Sequence, residues 1–221
     1  GERLDQGQKA RQRWFSDIAH ELRTPLSVLQ GELEAVVDGV RPLNHETIAA
    51  LESEVRQLTH LVSDLHDLAL ADAGNLRYHF TALDLDTLCE DAVDAVRPAF
   101  GRRRIRLRTD LSPARVNGDP VRLRQVIINL LSNAIKFTSD GDITIRLEEQ
   151  QRDGMAGINL TVEDTGVGIA SADLEKLFVK FQKVGQVEKL NPEGTGLGLA
   201  LVKELVAAHG GVVSVNSHPG K

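Results

Sequence analysis

Cysteine is almost missing from this sequence: Cys89 stands alone among 221 residues. It has no partner for a disulfide within the chain, and no cysteine/histidine cluster has the spacing of a zinc site, which fits a reducing compartment such as the cytoplasm. Within the helix-like stretch from Leu85 to Val96, Cys89 reads as a small buried residue. Long apolar runs are also missing. No stretch reaches the length needed to cross a bilayer, and none of the given residues reads as a signal peptide. Apart from Arg102-Arg103-Arg104 there is no run of basic residues, and the formal net charge is -6. That balance argues against nucleic acid as the main partner. Internal repeats and low-complexity segments are lacking too.

What remains is ordinary globular material, 41% hydrophobic and 26% charged, long enough for two compact domains. The chain opens on Gly1-Glu2-Arg3 and closes on the turn-like Pro219-Gly220-Lys221. It reads as a fragment whose flanks are expected to carry further elements, membrane spans among them.

The first third carries two coiled-coil stripes. Phe15, Ile18, Leu22, Leu26, Leu29, Leu33, Val36 and Val40 form one. Ile48, Leu51, Val55, Leu58, Val62, Leu65 and Leu68 form the other. The breaker-rich Asp38-Gly39-Val40-Arg41-Pro42-Leu43-Asn44 lies between them, and Asn44 is placed to cap the second helix, with Glu46 and Thr47 in its first turn. Two helices joined by a short turn make an antiparallel hairpin. A lone hairpin buries its stripes poorly, so the periodicity predicts pairing of two copies into a four-helix bundle, a homodimer. Beyond Ala73-Gly74-Asn75 the pattern changes. Residues 105–108, 143–147 and 158–162 alternate as strands, and Val212-Val213-Ser214-Val215 reads as a last strand. Residues 123–137, 171–181 and 197–209 read as helices. The expectation is an α-helical hairpin over 1–76 followed, over 77–221, by an α/β sandwich with a sheet on one side and helices on the other.

His20 falls on the flank of the first stripe, towards solvent. Its neutral imidazole can attack phosphorus if its other proton is held, and Glu21 is the adjacent carboxylate. Thr24 lies one turn further on nearly the same face, where its hydroxyl could orient a water. Pro25 removes a backbone donor and opposes the Glu21 carbonyl, so a loosened helix is expected there. A His-Glu-x-x-His zinc motif would need histidine where Thr24 stands. His45, His60, His66, His79, His209 and His218 have no comparable company.

Four further segments suggest one pocket. Asn129 and Asn133, one turn apart in Asn129-Leu130-Leu131-Ser132-Asn133-Ala134-Ile135-Lys136-Phe137, offer carboxamide oxygens suited to magnesium. Lys136 can meet phosphate as a point charge. Asp164-Thr165-Gly166-Val167-Gly168 follows a strand, and Asp164 can accept from an exocyclic amine such as that of adenine while Gly166 and Gly168 admit a flat ring. Gly194-Thr195-Gly196-Leu197-Gly198 opens a helix, where free N–H groups suit phosphate. It is neither a Walker nor a Rossmann turn. Phe178-Val179-Lys180-Phe181 precedes a polar stretch, residues 182–193, that reads as a lid with the phenylalanines at its base.

In this order these residues resemble the sensor histidine kinases of two-component systems. Residues 15–26 are similar to the family's H box, 129–137 to its N box, 164–168 to G1, 178–181 to F and 194–198 to G2. Gly31-Glu32-Leu33-Glu34-Ala35 and Asp64-Leu65-His66-Asp67-Leu68 further resemble envelope-stress sensor kinases. The resemblance implies a dimerisation and histidine-phosphotransfer bundle, then an ATP-binding domain of the Bergerat type. It implies ATP with Mg2+, autophosphorylation of His20, transfer to an aspartate of a cognate response regulator, and a phosphatase reaction on that regulator. Glu21 would be the base and Thr24 would serve the phosphatase reaction. Asn133, with Asn129 close by, would hold magnesium. Lys136, Phe137, Asp164, Gly166, Gly168, Gly194, Thr195, Gly196, Leu197 and Gly198 would complete the nucleotide site. The full-length protein would be anchored in the bacterial inner membrane, with this part on the cytoplasmic side. The family's domain usually continues into another strand after the Pro-Gly turn, and this chain departs from that pattern at Lys221.

Two other readings differ in what they need. An ATP-driven conformational machine of the gyrase or chaperone kind would carry a glutamate where Asn129 stands, and has no use for His20. A dimeric scaffold with a degenerate pocket would not need the complete set of pocket residues.

Overall fold

The computed structural model describes residues 2–100, 104–152, 154–184 and 194–219, without the side chains of 2–15, 152 and 155. The side chain of Phe15, Arg102 and Arg103, and the 185–193 part of the expected lid lie outside the described residues. The chain divides into two compact units, residues 1–74 and 75–221.

The first unit is a helical hairpin, α1 (Glu2–Val37) and α2 (His45–Asp72). Its turn is closed by backbone bonds. Asp38 N–H donates to the Glu34 carbonyl at 2.9 Å, Gly39 N–H to Val36 at 3.1 Å and Arg41 N–H to Ala35 at 2.9 Å. Gly39 takes φ +71°, the left-handed region where glycine is favoured. Asn44 caps α2 through its side-chain oxygen, which accepts from Thr47 N–H at 2.9 Å, while the Thr47 hydroxyl donates to the Pro42 carbonyl at 2.8 Å. An Arg41–Glu32 ion pair ties the turn back to α1. Along the hairpin, Leu26, Leu33 and Val40 recur every seven residues and stay exposed, as do Ile48, Val55 and Val62.

In the second unit, β1 (Thr81–Asp84) leads into α3 (Leu85–Val96) and a 3-10 turn at Arg97–Phe100. Then come β2 (Arg104–Leu111), β3 (Arg115–Gly118), α4 (Pro120–Phe137), β4 (Asp140–Arg152) and β5 (Met155–Asp164). A short α5 (Ser171–Leu174) and α6 (Gly198–Ala208) follow. The main sheet has the order β2-β4-β5, with β2 parallel to β4 and β5 antiparallel to it; β1 and β3 form a separate antiparallel pair. β4 is the central strand. Ile143, Ile145 and Leu147 point inward and are fully buried, with Thr144, Arg146 and Glu148 on the other face. Against them pack Cys89, Ala92 and Val93 of α3 and Ile127, Leu131 and Ala134 of α4. A one-residue register slip would turn all three β4 side chains to water, so this core fixes the pairing.

Two expected elements differ. Residues 171–181 do not form one helix: α5 ends at Leu174, and the chain continues in tight turns. Leu177 N–H donates to Leu174, Val179 to Lys176 and Gln182 to Val179, each three residues back, and Phe181 takes φ +61°. Apolar spacing at Leu174, Leu177 and Phe181 suits either geometry; the bonds three residues back after Leu174 show tight turns in place of a continuous helix, and the left-handed Phe181 closes the stretch. Residues 211–218 form no strand. Alternation supplies side chains but not a neighbour for the backbone ladder, and Val212 is left 76% exposed. Among the described residues, no helix is long and apolar enough to cross a membrane.

Candidate functional site

The expected phospho-acceptor residues lie in the first unit. His20 is exposed on α1, flanked by the half-buried Ile18 and Leu22 of the apolar stripe. The Thr24 hydroxyl approaches the His20 carbonyl at 3.4 Å. Pro25 lies inside α1 and supplies no N–H to the Glu21 carbonyl one turn earlier. The helix is continuous through it.

In the second unit, α4 organises the remaining candidates. Its start is sharply defined. Asp119 is the N-cap, only 4% exposed, and Pro120 takes the first helical position, where a missing N–H costs nothing. The Asp119 carboxylate accepts from Val121 N–H at 3.0 Å, Arg122 N–H at 3.1 Å and His79 N–H at 2.8 Å. Burial pushes this carboxyl up, but the three N–H groups and the Arg122 charge outweigh it and hold the group below the usual carboxylate range. The Asp119 N–H in turn donates to His209 Nε2 at 3.0 Å. That bond makes Nε2 the acceptor, so Nδ1 carries the proton and donates to the Leu205 carbonyl at 2.7 Å. The ring of His209 packs on Phe80, with centroids 4.9 Å apart, and edge-on to Tyr78. His209 thus fastens the end of α6 to the start of α4.

Further along α4, Asn129 and Asn133 share a face. Asn133 Nδ2 donates to the Asn129 carbonyl at 2.9 Å, and Asn129 Nδ2 approaches the Gly198 carbonyl at 3.4 Å. Both amides spend their nitrogens on the protein, which leaves two hard carbonyl oxygens, the donor type magnesium takes. Lys136 reaches the glycine turn: a Cβ on Gly194 would lie 2.7 Å from its Nζ, which also sits 5.5 Å from the Phe137 ring centroid. Among the described residues there is no cluster of three or more His, Cys, Asp or Glu that could hold a metal.

The turn at residues 194–198 is held from two sides. Thr195 Oγ1 accepts from Leu197 N–H at 3.3 Å, and Phe181 N–H donates to the Gly196 carbonyl at 3.2 Å. Gly196 has φ +67°, and a Cβ there would lie 2.9 Å from the Phe181 carbonyl carbon. Glycine is therefore required at 196, and the aromatic segment braces the turn through its backbone. Leu197 is fully buried and anchors the turn to the core.

The turn after β5 meets the other end of α4. Val167 N–H donates to the Phe137 carbonyl at 3.4 Å, and a Cβ on Gly166 would lie 2.5 Å from that same oxygen. Gly166 N–H donates to Asp164 Oδ1 at 2.9 Å. Gly168 lies against the His218 carbonyl, and Ile169 N–H donates to Ser217 Oγ at 2.9 Å. So α4 gathers Asn129, Asn133, Lys136 and Phe137 with both glycine-bearing turns.

Sequence reasoning gave no role to Asp119, to His209 or to Asp142, whose backbone N–H donates to Thr165 Oγ1 at 2.9 Å beside the 164–168 turn. An Asp-Pro step opening an apolar helix was a readable signal for the first. His209 and Asp142 act through backbone contacts far away in sequence, which no local pattern announces.

Comparison with known proteins adds a family context. Residues 10–74 match the His Kinase A (phospho-acceptor) domain, and residues 118–221 match the histidine kinase-, DNA gyrase B- and HSP90-like ATPase family. The signal transduction histidine-protein kinase BaeS of Escherichia coli (strain K12) is 40% identical over 98% of this chain and 46% of its own length. The chain therefore spans less than half of that relative. The structure of the Acinetobacter baumannii histidine kinase AdeS superposes with a TM-score of 0.70 at 33% identity, covering 86% of both chains. Full-length ShkA, solved in complex with AMPPNP, has a TM-score of 0.62 at 26% identity over 93% of this chain and 43% of its own.

Proposed function

We infer the reaction of this chain from the family to which it belongs, the histidine kinases: it transfers the γ-phosphoryl group of ATP to a ring nitrogen of His20, and then to an aspartate of a response regulator. The observation that carries this reading is the convergence on α4 of Asn129, Asn133 and Lys136 with the 194–198 turn, in a chain whose first unit exposes His20 beside Glu21.

Each residue has a task. The neutral imidazole of His20 attacks phosphorus through one nitrogen, the bond from phosphorus to the β-phosphate oxygen breaks, and ADP leaves. Glu21 holds the proton on the other ring nitrogen and supports the charge that develops there. Lys136 and the N–H groups of the 194–198 turn neutralise phosphate charge, so catalysis is largely positioning and electrostatics. Asp164 accepts from the exocyclic amine of adenine. The carbonyl oxygens of Asn133 and Asn129 fit magnesium, which when bound supplies charge neutralisation on the phosphates. Thr24 orients the water that hydrolyses the regulator's aspartyl phosphate; its long contact to the His20 carbonyl leaves the hydroxyl available.

The working form is a homodimer. The exposed seven-residue series Leu26-Leu33-Val40 and Ile48-Val55-Val62 support it, because a second hairpin would bury both seams in a four-helix bundle. In a longer protein we place this core on the cytoplasmic face of a bacterial inner membrane, where ATP and a regulator are at hand.

The test is incubation with γ-labelled ATP and Mg2+. Acid-labile, base-stable label is expected on the chain, and His20→Ala should abolish it while leaving nucleotide binding intact. Acid-labile label retained by the alanine variant would overturn the assignment of His20.

A further inference from the structure

The Asp164 turn leaves the sheet at a point where two chain segments are closed on each other. The last registered pair between β4 and β5 is Ile143 with Asp164. One residue on, Thr165 N–H donates to the Asp142 carbonyl at 3.1 Å, and Asp142 N–H donates back to Thr165 Oγ1 at 2.9 Å. The Thr165 hydroxyl sits 3.4 Å from the same Asp142 carbonyl. A side-chain oxygen thus replaces the backbone acceptor that the ladder would have supplied. Room for it comes from Gly141, at φ +128°, where a Cβ would lie 2.0 Å from Thr165 Oγ1.

Asp142 is itself held. Arg106, its register partner on β2, donates to both carboxylate oxygens at 2.8 Å, and Arg108 lies 3.5 Å away. These bonds tie the residue Thr165 grips to the neighbouring strand. Downstream, Gly166 N–H fixes Asp164 Oδ1 at 2.9 Å. Among the described residues, Oδ2 accepts no hydrogen bond. With Thr165 clamped, the Thr165–Gly166 peptide and the Asp164 carboxylate share one rigid turn.

We propose that Thr165 is a positioning residue for base selection: its hydroxyl, docked on Asp142 through the gap left by Gly141, aims Asp164 Oδ2 at the exocyclic amine of adenine. This rests on the reading of Asp164 given above. Thr165 touches no nucleotide itself. It acts through Asp164.

The experiment compares the affinity of the whole chain for ATP and for purine riboside triphosphate, which lacks the exocyclic amine, both with Mg2+. The wild type should prefer ATP on the order of tenfold or more, the worth of a hydrogen bond to a charged group. Thr165→Val keeps the shape and removes the hydroxyl. It should weaken ATP binding until the preference is nearly gone, while leaving the analogue's affinity unchanged; Thr165→Ser should restore the preference. Equal weakening of both ligands would overturn the proposal by reducing Thr165 to a structural residue, and so would an unchanged preference. A wild type that does not distinguish the ligands would instead overturn the reading of Asp164, and the inference with it. If Thr165→Val does not fold, Thr165→Ala is judged by the same ratio.

Discussion

Replacing Asp119 with alanine should destabilise the nucleotide-binding unit well beyond the loss of an ordinary helix cap. Alanine removes the cap bonds to Val121 and Arg122, together worth about 1 kcal/mol. It also removes the acceptor for His79 N–H; a bond to a charged group contributes ~1.5–3 kcal/mol. The sum is roughly 2–4 kcal/mol, a fall in melting midpoint on the order of 5–15 °C for a unit of this size. The backbone N–H of residue 119 still reaches His209, so the loss isolates the carboxylate. Calorimetry of the whole chain reads it in the transition that ADP shifts upward. The pH dependence follows from the folded-state carboxyl being lowered. Its contribution is fully present above the unfolded value near ~3.9 and is lost as pH falls through the folded value. The gap between wild type and variant should be level from about pH 5 to 8 and close below about pH 4. A loss under ~0.5 kcal/mol at pH 7, or a gap that widens in acid, would refute the reasoning.

Two further expectations concern other parts of the chain. Burial, with smaller contributions from Asp86 and Glu90, pushes the Cys89 thiol up to about 12, so iodoacetamide at pH 8 should label it only after unfolding in urea; rapid labelling of the native chain would contradict the packing of α3. Val55→Asp combined with Val62→Asp places charge on an exposed seam of α2 and should convert a dimer, measured by light scattering, into a monomer that still binds nucleotide; a variant that remains dimeric would rule out this seam.

The legible parts of the fold share one property: their pattern is local. The stripes of α1 and α2, the alternation at 143–147 and the cap at Asn44 each announce themselves within a few residues. β1 and β3 do not. Each has four residues, and Thr81 pairs with Gly118 across a long stretch of chain, so neither has a period to detect. Residues 171–181 mislead because apolar steps of three and four fit tight turns as well as a helix. The site divides in the same way. The helical spacing of Asn129 and Asn133 was readable, whereas the grip of Thr165 on Asp142 depends on a backbone gap at Gly141 and has no side-chain signature.

The clasp around Asp119 also sets a rule for recombination between relatives. His79 donates to the Asp119 carboxylate, and Tyr78 and Phe80 pack on His209. The few residues that lead into the second unit are therefore complementary to two helix ends far along the chain. A hybrid that joins one protein's hairpin to another's nucleotide domain keeps this complementarity when the crossover falls before Tyr78, so that Tyr78, His79 and Phe80 travel with Asp119 and His209. A crossover placed after Phe80 would pair an entry segment with a foreign socket, and the mismatch would fall on the two helices that frame the proposed nucleotide site.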